Sequence, residues 1–378
     1  MIELEAWLQR IERLHHRPIE LGLGRVRDVA QRLSLQLTCP SVVVAGTNGK
    51  GSTCAMLDSI LRAAGYRVGR YSSPHLLRFN ERAMVDGVAV ADEALIEQFE
   101  AVEGARGEVS LTYFEFTTLA ILRLFAARTL DAAVLEIGLG GRLDAVNLID
   151  ADCSIVTSIG LDHADFLGST RESVAFEKAH VYRSGRPAIC SDPSPPQSLL
   201  DYAQSIGAQL RVLGRDFEVI PFKGQGTELE ARQQWSYRGP TVRRASLPMP
   251  TLRGQHQLRN AAGAIAALEA LDEKLPVSQQ AVRQGLLQAR IEGRFQVLPG
   301  RPAVILDVAH NPQAGQALAQ TLAASVQSTR AAIDRYDSVG EALTAARAAA
   351  GPDDRILVFG SFVTVAEAMR DLQRGGQE

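Results

Sequence analysis

Residues 41–52 read Ser-Val-Val-Val-Ala-Gly-Thr-Asn-Gly-Lys-Gly-Ser, a β-branched run that ends in a glycine-rich turn. Ser41–Ala45 is a candidate strand, almost continuously apolar, as a strand covered on both faces requires. Ser52–Ala64 follows with helical character, and Gly65 stands where a helix closes in the left-handed conformation. Strand, glycine loop and helix form the first half of a βαβ unit. Glycines let such a loop curl its amide N–H groups inward as an anion nest, and the helix N-terminus adds positive partial charge. Lys50 would supply a full charge for terminal phosphates, and the Ser52 hydroxyl can ligate Mg²⁺. The spacing departs from G-x-x-x-x-G-K-[ST]: the loop is shorter before Lys50, and Gly51 separates Lys50 from Ser52. A glycine turn holding a chance lysine would look similar. The flanking strand and helix decide for a phosphate loop.

Outward from this loop the pattern repeats. Val68–Tyr71 is the next strand, Phe116–Ala127 an apolar helix, and Ala132–Ile137 and Ser154–Ser158 read as buried parallel strands, with Pro187–Cys190 a further candidate. Strands alternating with helices imply an α/β fold, a doubly wound, mainly parallel sheet. Upstream, Leu4, Trp7, Leu8, Ile11 and Leu14 recur at helical spacing. A loop at Pro18–Gly24 then leads to a helix over Val26–Leu35. Downstream, Phe217–Leu247 is broken by Gly224, Gly226, Gly239 and Pro240 and reads as an antiparallel hairpin region. Arg259–Leu271 is an alanine-rich helix, and Ala289–Pro302 has the look of a linker. Residues 303–312, Ala-Val-Ile-Leu-Asp-Val-Ala-His-Asn-Pro, read as another strand with polar residues at its C-terminal end, and Ile356–Gly360 is the last strand.

A chain of 378 residues exceeds what one core usually supports, so two domains are expected, 1–288 and 289–378. With 46% apolar and 22% charged residues the chain belongs among ordinary globular proteins. A formal net charge of -3 offers no basic field for a nucleic-acid backbone. Cys39, Cys54, Cys153 and Cys190 are far apart, without the spacing of a zinc site or a disulfide scaffold. The N-terminus is interrupted by charges, unlike a signal peptide, and nothing approaches the roughly 18 apolar residues that span a bilayer. A soluble, cytoplasmic chain with no nucleic-acid or membrane partner is the expectation.

Several segments together resemble the Mur ligase superfamily, in its folylpolyglutamate synthase branch. Gly46–Ser52 is similar to that family's phosphate loop. Residues 14–26, 71–82, 111–115, 136–147, 158–168, 176–179, 254–262, 293–296, 307–312 and 358–362 resemble its other motifs, in the family's order and over nearly the whole chain. The run Gly140–Ala145 with Leu111–Glu115 is similar to bifunctional members that accept dihydropteroate as well as folates. The resemblance implies a phosphate-loop domain followed by a smaller Rossmann-like α/β domain. It implies ATP-dependent joining of L-glutamate to dihydropteroate and to tetrahydrofolates through an acyl phosphate, by a monomer.

The resemblance also assigns roles. Thr47, Asn48, Gly49, Lys50, Gly51 and Ser52, with Asn260, Arg294 and Asp307, would hold ATP. Ser52, Ser73, Glu136, His163 and Lys178 would serve Mg²⁺, two ions being expected. Glu136 also stands at the end of a strand, the edge where parallel sheets bind ligands, and a hard carboxylate suits Mg²⁺. Lys178 read alone is a solvated helix lysine; in similar enzymes its counterpart is carbamylated, which turns a cation into an anion. Lys50, Lys178 and His310 are the catalytic candidates. Glu20, Leu21 and Gly22, then Thr112, Tyr113, Phe114 and Glu115, then Leu143, Asp144 and Ala145 would form the pteroate site. Phe114 could stack on the pterin, and Arg82 could meet a substrate carboxylate.

In one respect the chain departs from the family. About fifty family residues have no counterpart near Ser328–Ala332, where a C-terminal sheet would be left with unpaired edges. Competing readings are a folylpolyglutamate synthase without dihydrofolate synthase activity, a ligase acting on a cell-wall precursor, and a nucleotide-binding switch that ligates nothing.

Overall fold

The computed structural model describes residues 3–221, 234–323 and 334–374. Its principal sheet has eight strands: β1 (Ser41–Ala45), β2 (Val68–Tyr71), β3 (Ala83–Val85), β4 (Val88–Ala89), β5 (Ala132–Glu136), β6 (Cys153–Val156), β7 (Pro187–Cys190) and β8 (Gln209–Val212). They lie in the order β4-β3-β2-β5-β1-β6-β7-β8. From β2 to β8 every pairing is parallel; β3 and β4 add an antiparallel edge. Register matters most at β1. Val44 pairs with Glu136 and Ala45 with Val156, so the segments that leave β1, β5 and β6 emerge side by side. The chain moves to opposite sides of β1 here, the switch point where open α/β sheets bind ligands.

All five residues of β1 are buried, which is why its sequence is apolar on both faces. On one face the helix Lys50–Ala63 packs with the alanine-rich helix His256–Ala270, burying Leu57, Ile60, Ile265 and Leu268 in one core. Gly285, in the helix Gln279–Gln288, lies so close that a Cβ there would stand 2.4 Å from Ile60 Cα. The other face is covered by the helix Tyr113–Ala126, whose Phe116, Leu119 and Ile121 are buried with Trp7, Phe99 and Val26.

Beyond this domain come two small sheets. Strands β9 (Glu218–Pro221), β10 (Gln234–Arg238) and β11 (Arg243–Pro248) are antiparallel. Strands β12 (Gln296–Leu298), β13 (Ala303–Asp307) and β14 (Arg355–Phe359) make a separate C-terminal sheet, with β14 parallel to β13. Val304, Leu306 and Val358 pack there against Val365, Ala368 and Met369 of the helix Phe362–Arg374.

The expected α/β architecture is present, with a smaller C-terminal unit. One expectation needs correction. Ala289–Pro302 is only partly a linker, because β12 lies within it and joins the C-terminal sheet. The gap expected near Ser328–Ala332 lies outside the described residues, as do Gly224 and Gly226. Among the described residues no helix is long and apolar enough to cross a membrane.

Candidate active site

Gly49 precedes the helix Lys50–Ala63 at φ +89, a backbone state that glycine adopts without strain. The helix thus begins at Lys50, two residues before Ser52, which puts the loop amides and the first helical turn at the same point. Thr47 N donates to Ser158 O at 2.7 Å, and Asn48 N to Ser158 Oγ at 3.1 Å. Thr157 Oγ1 donates to Asn48 O at 2.7 Å. The loop is therefore braced by the segment leaving β6. Lys50 Nζ folds back onto Gly46 O at 3.0 Å. Asn260 packs against Gly49, and its Nδ2 donates to Gln257 Oε1 at 2.9 Å; Gln257 Nε2 in turn reaches Ser52 Oγ at 3.3 Å.

Glu136 ends β5 beside this loop. It is 4% exposed and makes no ion pair among the described residues. Burial raises its pKa, opposed by the positive charges of Lys50 and Arg294. Ser73 N donates to its Oε2 at 3.3 Å. A Cβ on Gly51 would come within 3.5 Å of the same carboxylate, so the glycine lets helix and carboxylate approach. In the same cleft His163 stands in the left-handed region, at φ +48, uncommon for a residue with a side chain. Lys178 is 3% exposed, and its pKa falls to about 7, chiefly through burial and then through repulsion by Lys50. Glu136 and His163 share no tight cluster of donors. Among the described residues only His15, His16 and Glu20 form such a group. The expected metal residues instead line one cleft together.

The C-terminal unit closes that cleft. Asp307 accepts from Phe295 N and Ala309 N, both at 2.8 Å. Arg294 is half-buried, with its pKa lowered by desolvation and partly restored by Asp307 and Glu136. His310 Nδ1 is bound to Val308 O at 2.7 Å. Every residue expected to hold nucleotide or metal, from Thr47 to His310, lines one cavity of about 710 Å³.

The residues expected at the pteroate site gather next to this cavity without lining it. Gly22 N donates to Leu143 O at 3.3 Å, which joins Glu20–Gly22 to Leu143–Ala145. Thr112 and Glu115 form a capping box at the start of their helix, and Arg25 pairs with Glu115 at 2.9 Å and with Glu20. Asp144 is buried, which raises its pKa to about 6, and accepts from Leu139 N at 2.8 Å. Leu139 lines the main cavity, so Asp144 is the link between the two regions. The Phe114 ring covers Gly138, where a Cβ would stand 2.5 Å from it, and stacks at 6.4 Å on Tyr71. Arg82 is buried between the rings of Phe79 and Tyr113, and its Nε meets His75 Nδ1 at 2.9 Å. Sequence reasoning passed over Asp162 and Asn311, although both lie inside quoted motifs, beside His163 and His310.

A phosphate loop feeding a cleft that a second α/β unit closes defines a Mur-type nucleotide-dependent enzyme. Residues 44–268 match the Mur ligase middle domain. The dihydrofolate synthase/folylpolyglutamate synthase of Escherichia coli is 41% identical over 423 aligned positions, covering 99% of this chain and 97% of the relative. Since 423 positions exceed the length of the chain, the relative carries residues with no counterpart here. The Haemophilus influenzae enzyme of the same name is 40% identical, covering 85% of this chain and 74% of the relative. A structure of Escherichia coli FolC in complex with DHPP and ADP superposes with TM-score 0.91 at 40% identity, covering 99% of each chain. A bifunctional folylpolyglutamate synthase/dihydrofolate synthase with Mn, AMPPNP and L-glutamate bound gives 0.88 at 39%, over 99% and 98% of the two chains. The chain belongs to the Mur ligase superfamily and, within it, to the dihydrofolate synthase/folylpolyglutamate synthase family, whose members are ATP-dependent, metal-binding ligases that form amide bonds.

Proposed function

We propose that this chain joins L-glutamate to dihydropteroate, giving dihydrofolate, and to folylpolyglutamates, in folate biosynthesis. One observation carries the proposal. The phosphate loop, the Glu136 carboxylate and His310 line a single cleft, and the buried Asp144 turn ties that cleft to the segment expected to hold the pterin. A carboxylate repels nucleophiles, and phosphorylation by ATP converts it into an acyl phosphate with a good leaving group. Lys50 leaves the Gly46 carbonyl and turns to the transferring phosphoryl group, where its charge and the loop amides stabilise the spreading negative charge. Asn260, Arg294 and Asp307 hold the nucleotide between the two units. The amine of L-glutamate then attacks, phosphate departs, and an amide remains. Closure of the cleft keeps water from the acyl phosphate.

The donor set of hydroxyls, a carboxylate and an imidazole fits hard divalent cations. Ser52, Ser73 and Glu136 would hold one Mg²⁺, and His163 with Lys178 a second; bound there, the ions would neutralise phosphoryl charge. Lys178 is proposed to be carbamylated. A buried amine whose pKa is lowered to about 7 is partly unprotonated near neutral pH, and only that neutral form reacts with CO₂. Glu20–Gly22, Thr112–Glu115 and Leu143–Ala145 frame the pteroate, with Arg82 beside its carboxylate side. The chain is proposed to act as a cytoplasmic monomer, with domains 1–288 and 289–378.

ADP release with L-glutamate and either dihydropteroate, tetrahydrofolate or no pterin tests this. ADP with both pterins and none without is expected. Release with tetrahydrofolate alone restricts the chain to polyglutamylation, and ADP formed regardless of pterin overturns the assignment.

A further inference from the structure

The segment leaving β6 carries an acid that the scheme above does not use. Asp162 lines the cleft with its side chain 21% exposed, and no lysine or arginine pairs with it among the described residues. Its Oδ2 accepts from Asn311 Nδ2 at 3.0 Å and lies 3.7 Å from His310 Nε2. Its Oδ1 accepts from the adjacent His163 N at 2.9 Å. His310 Nδ1 is committed to the Val308 carbonyl, so Nε2 is the nitrogen left to face the cleft. Asn311 is equally committed. Its Oδ1 accepts from Ala314 N at 2.9 Å, at the start of the helix Pro312–Ala323, and from Asn48 Nδ2 at 3.1 Å. A single carboxylate of the central domain thus holds Asn311 of the C-terminal turn and stands beside the preceding His310, and Asn311 also touches the phosphate loop.

We propose that Asp162 is a positioning residue for the ligation step: it fixes the His310–Asn311 turn against the phosphate loop so that His310 Nε2 faces the amine that attacks the acyl phosphate. The inference rests on the ligase reading above. It concerns the setting of the C-terminal turn, not direct contact with nucleotide, because the polar atoms that Asp162 engages belong to that turn and to its own neighbour. When the turn is loose, the acyl phosphate still forms but meets water instead of the amine. Water then adds at the acyl carbon, the bond to the phosphate oxygen breaks, and the free acid and inorganic phosphate are returned.

The test measures ADP and amide product together for the full-length wild type, Asp162→Ala and Asp162→Asn, with ATP, dihydropteroate and L-glutamate. Asp162→Ala should lower kcat/KM for glutamate about tenfold or more, as losing a charged hydrogen-bond partner does. It should leave the KM for ATP within about twofold and raise the ratio of ADP to amide above one. Asp162→Asn keeps an oxygen that can accept from Asn311 and should bring the ratio back toward one. A protein that is merely less folded loses ADP and amide in parallel at a ratio of one, and that result overturns the inference, as does an unaltered Asp162→Ala enzyme. A wild-type chain that forms no amide overturns the ligase reading and the inference together; a wild type that ligates beside an unaltered variant overturns the inference alone.

Discussion

The side-chain amides of Asn48 and Asn311 face one another, each Nδ2 3.1 Å from the other's Oδ1. This reciprocal pair joins the phosphate loop to the C-terminal unit, and Asn311 is only 9% exposed. Asn311→Ala removes the pair, the oxygen that receives Ala314 N and the donor to Asp162. Each is a partly buried polar contact whose loss leaves a partner unsatisfied, at about 1–3 kcal/mol. The expected result is a melting temperature several degrees lower and ligation reduced about tenfold. Asn311→Asp should do no better, because two carboxylates then oppose each other. Adding Asp162→Asn to it restores one donor and one acceptor and should recover activity. Failure of the double variant to improve on the single one would count against the geometry.

Gly49 is held by two constraints at once. Its φ is +89, and a Cβ would lie 2.5 Å from Asn260 Oδ1. Left-handed backbone costs a residue with a side chain about 1–2 kcal/mol, and the contact forces Asn260 away from Gln257. Gly49→Ala is expected to keep its far-ultraviolet circular dichroism while weakening ADP binding about tenfold or more by isothermal titration. Unchanged ADP affinity would show that the loop tolerates a side chain there.

Glu136→Gln separates chemistry from stability. The carboxylate is buried without a salt bridge among the described residues, and burial raises its pKa. A neutral amide of similar shape removes the desolvated charge, so the metal-free melting temperature should hold or rise. Mn²⁺ affinity, followed by electron paramagnetic resonance, should fall about tenfold to a hundredfold, and ligation with it. A variant that binds Mn²⁺ as the wild type does would remove Glu136 from the metal site.

How far the sequence reveals all this depends on whether a feature is local. Strands β1, β2 and β7 lie where the sequence places them, because each is a short apolar run bounded by turn residues. The β3–β4 hairpin escaped notice although its signal is present. Asp86 and Gly87, at φ +54 and +77, form the Asp-Gly turn that such hairpins favour, but strands of three and two residues show no alternation to detect. Glu136 is legible because strand ends at a switch point are where ligands bind. Asp162 and Asn311 are not, since their partners are residues 149 apart that meet only when the C-terminal unit packs onto the cleft. Arg25 escaped because one of its two carboxylates, Glu115, lies 90 residues away on another helix.

Lys178 sets the pH dependence. Its pKa in the folded chain is about 7 rather than the usual 10.5, because burial disfavours the ammonium form. Below pH 7 both folded and unfolded chains carry the proton, and the folded state bears the full cost of a buried cation. Between about 7 and 10.5 the unfolded chain keeps a proton that the folded chain has released, so rising pH favours folding. Above that window both states are neutral and the cost is gone. Lys178→Met, of similar length and without the charge, should therefore be more stable than the wild type at pH 6. The gap in melting temperature should narrow steadily as pH rises from about 7 to about 10, in metal-free buffer depleted of CO₂. Ligation by Lys178→Met should be lost at every pH. Added bicarbonate should shift the wild type alone and place one CO₂ on Lys178 by intact mass. A gap that stays constant across this range would mean that Lys178 is solvated in the folded chain, and the argument for its carbamylation would lose its physical support.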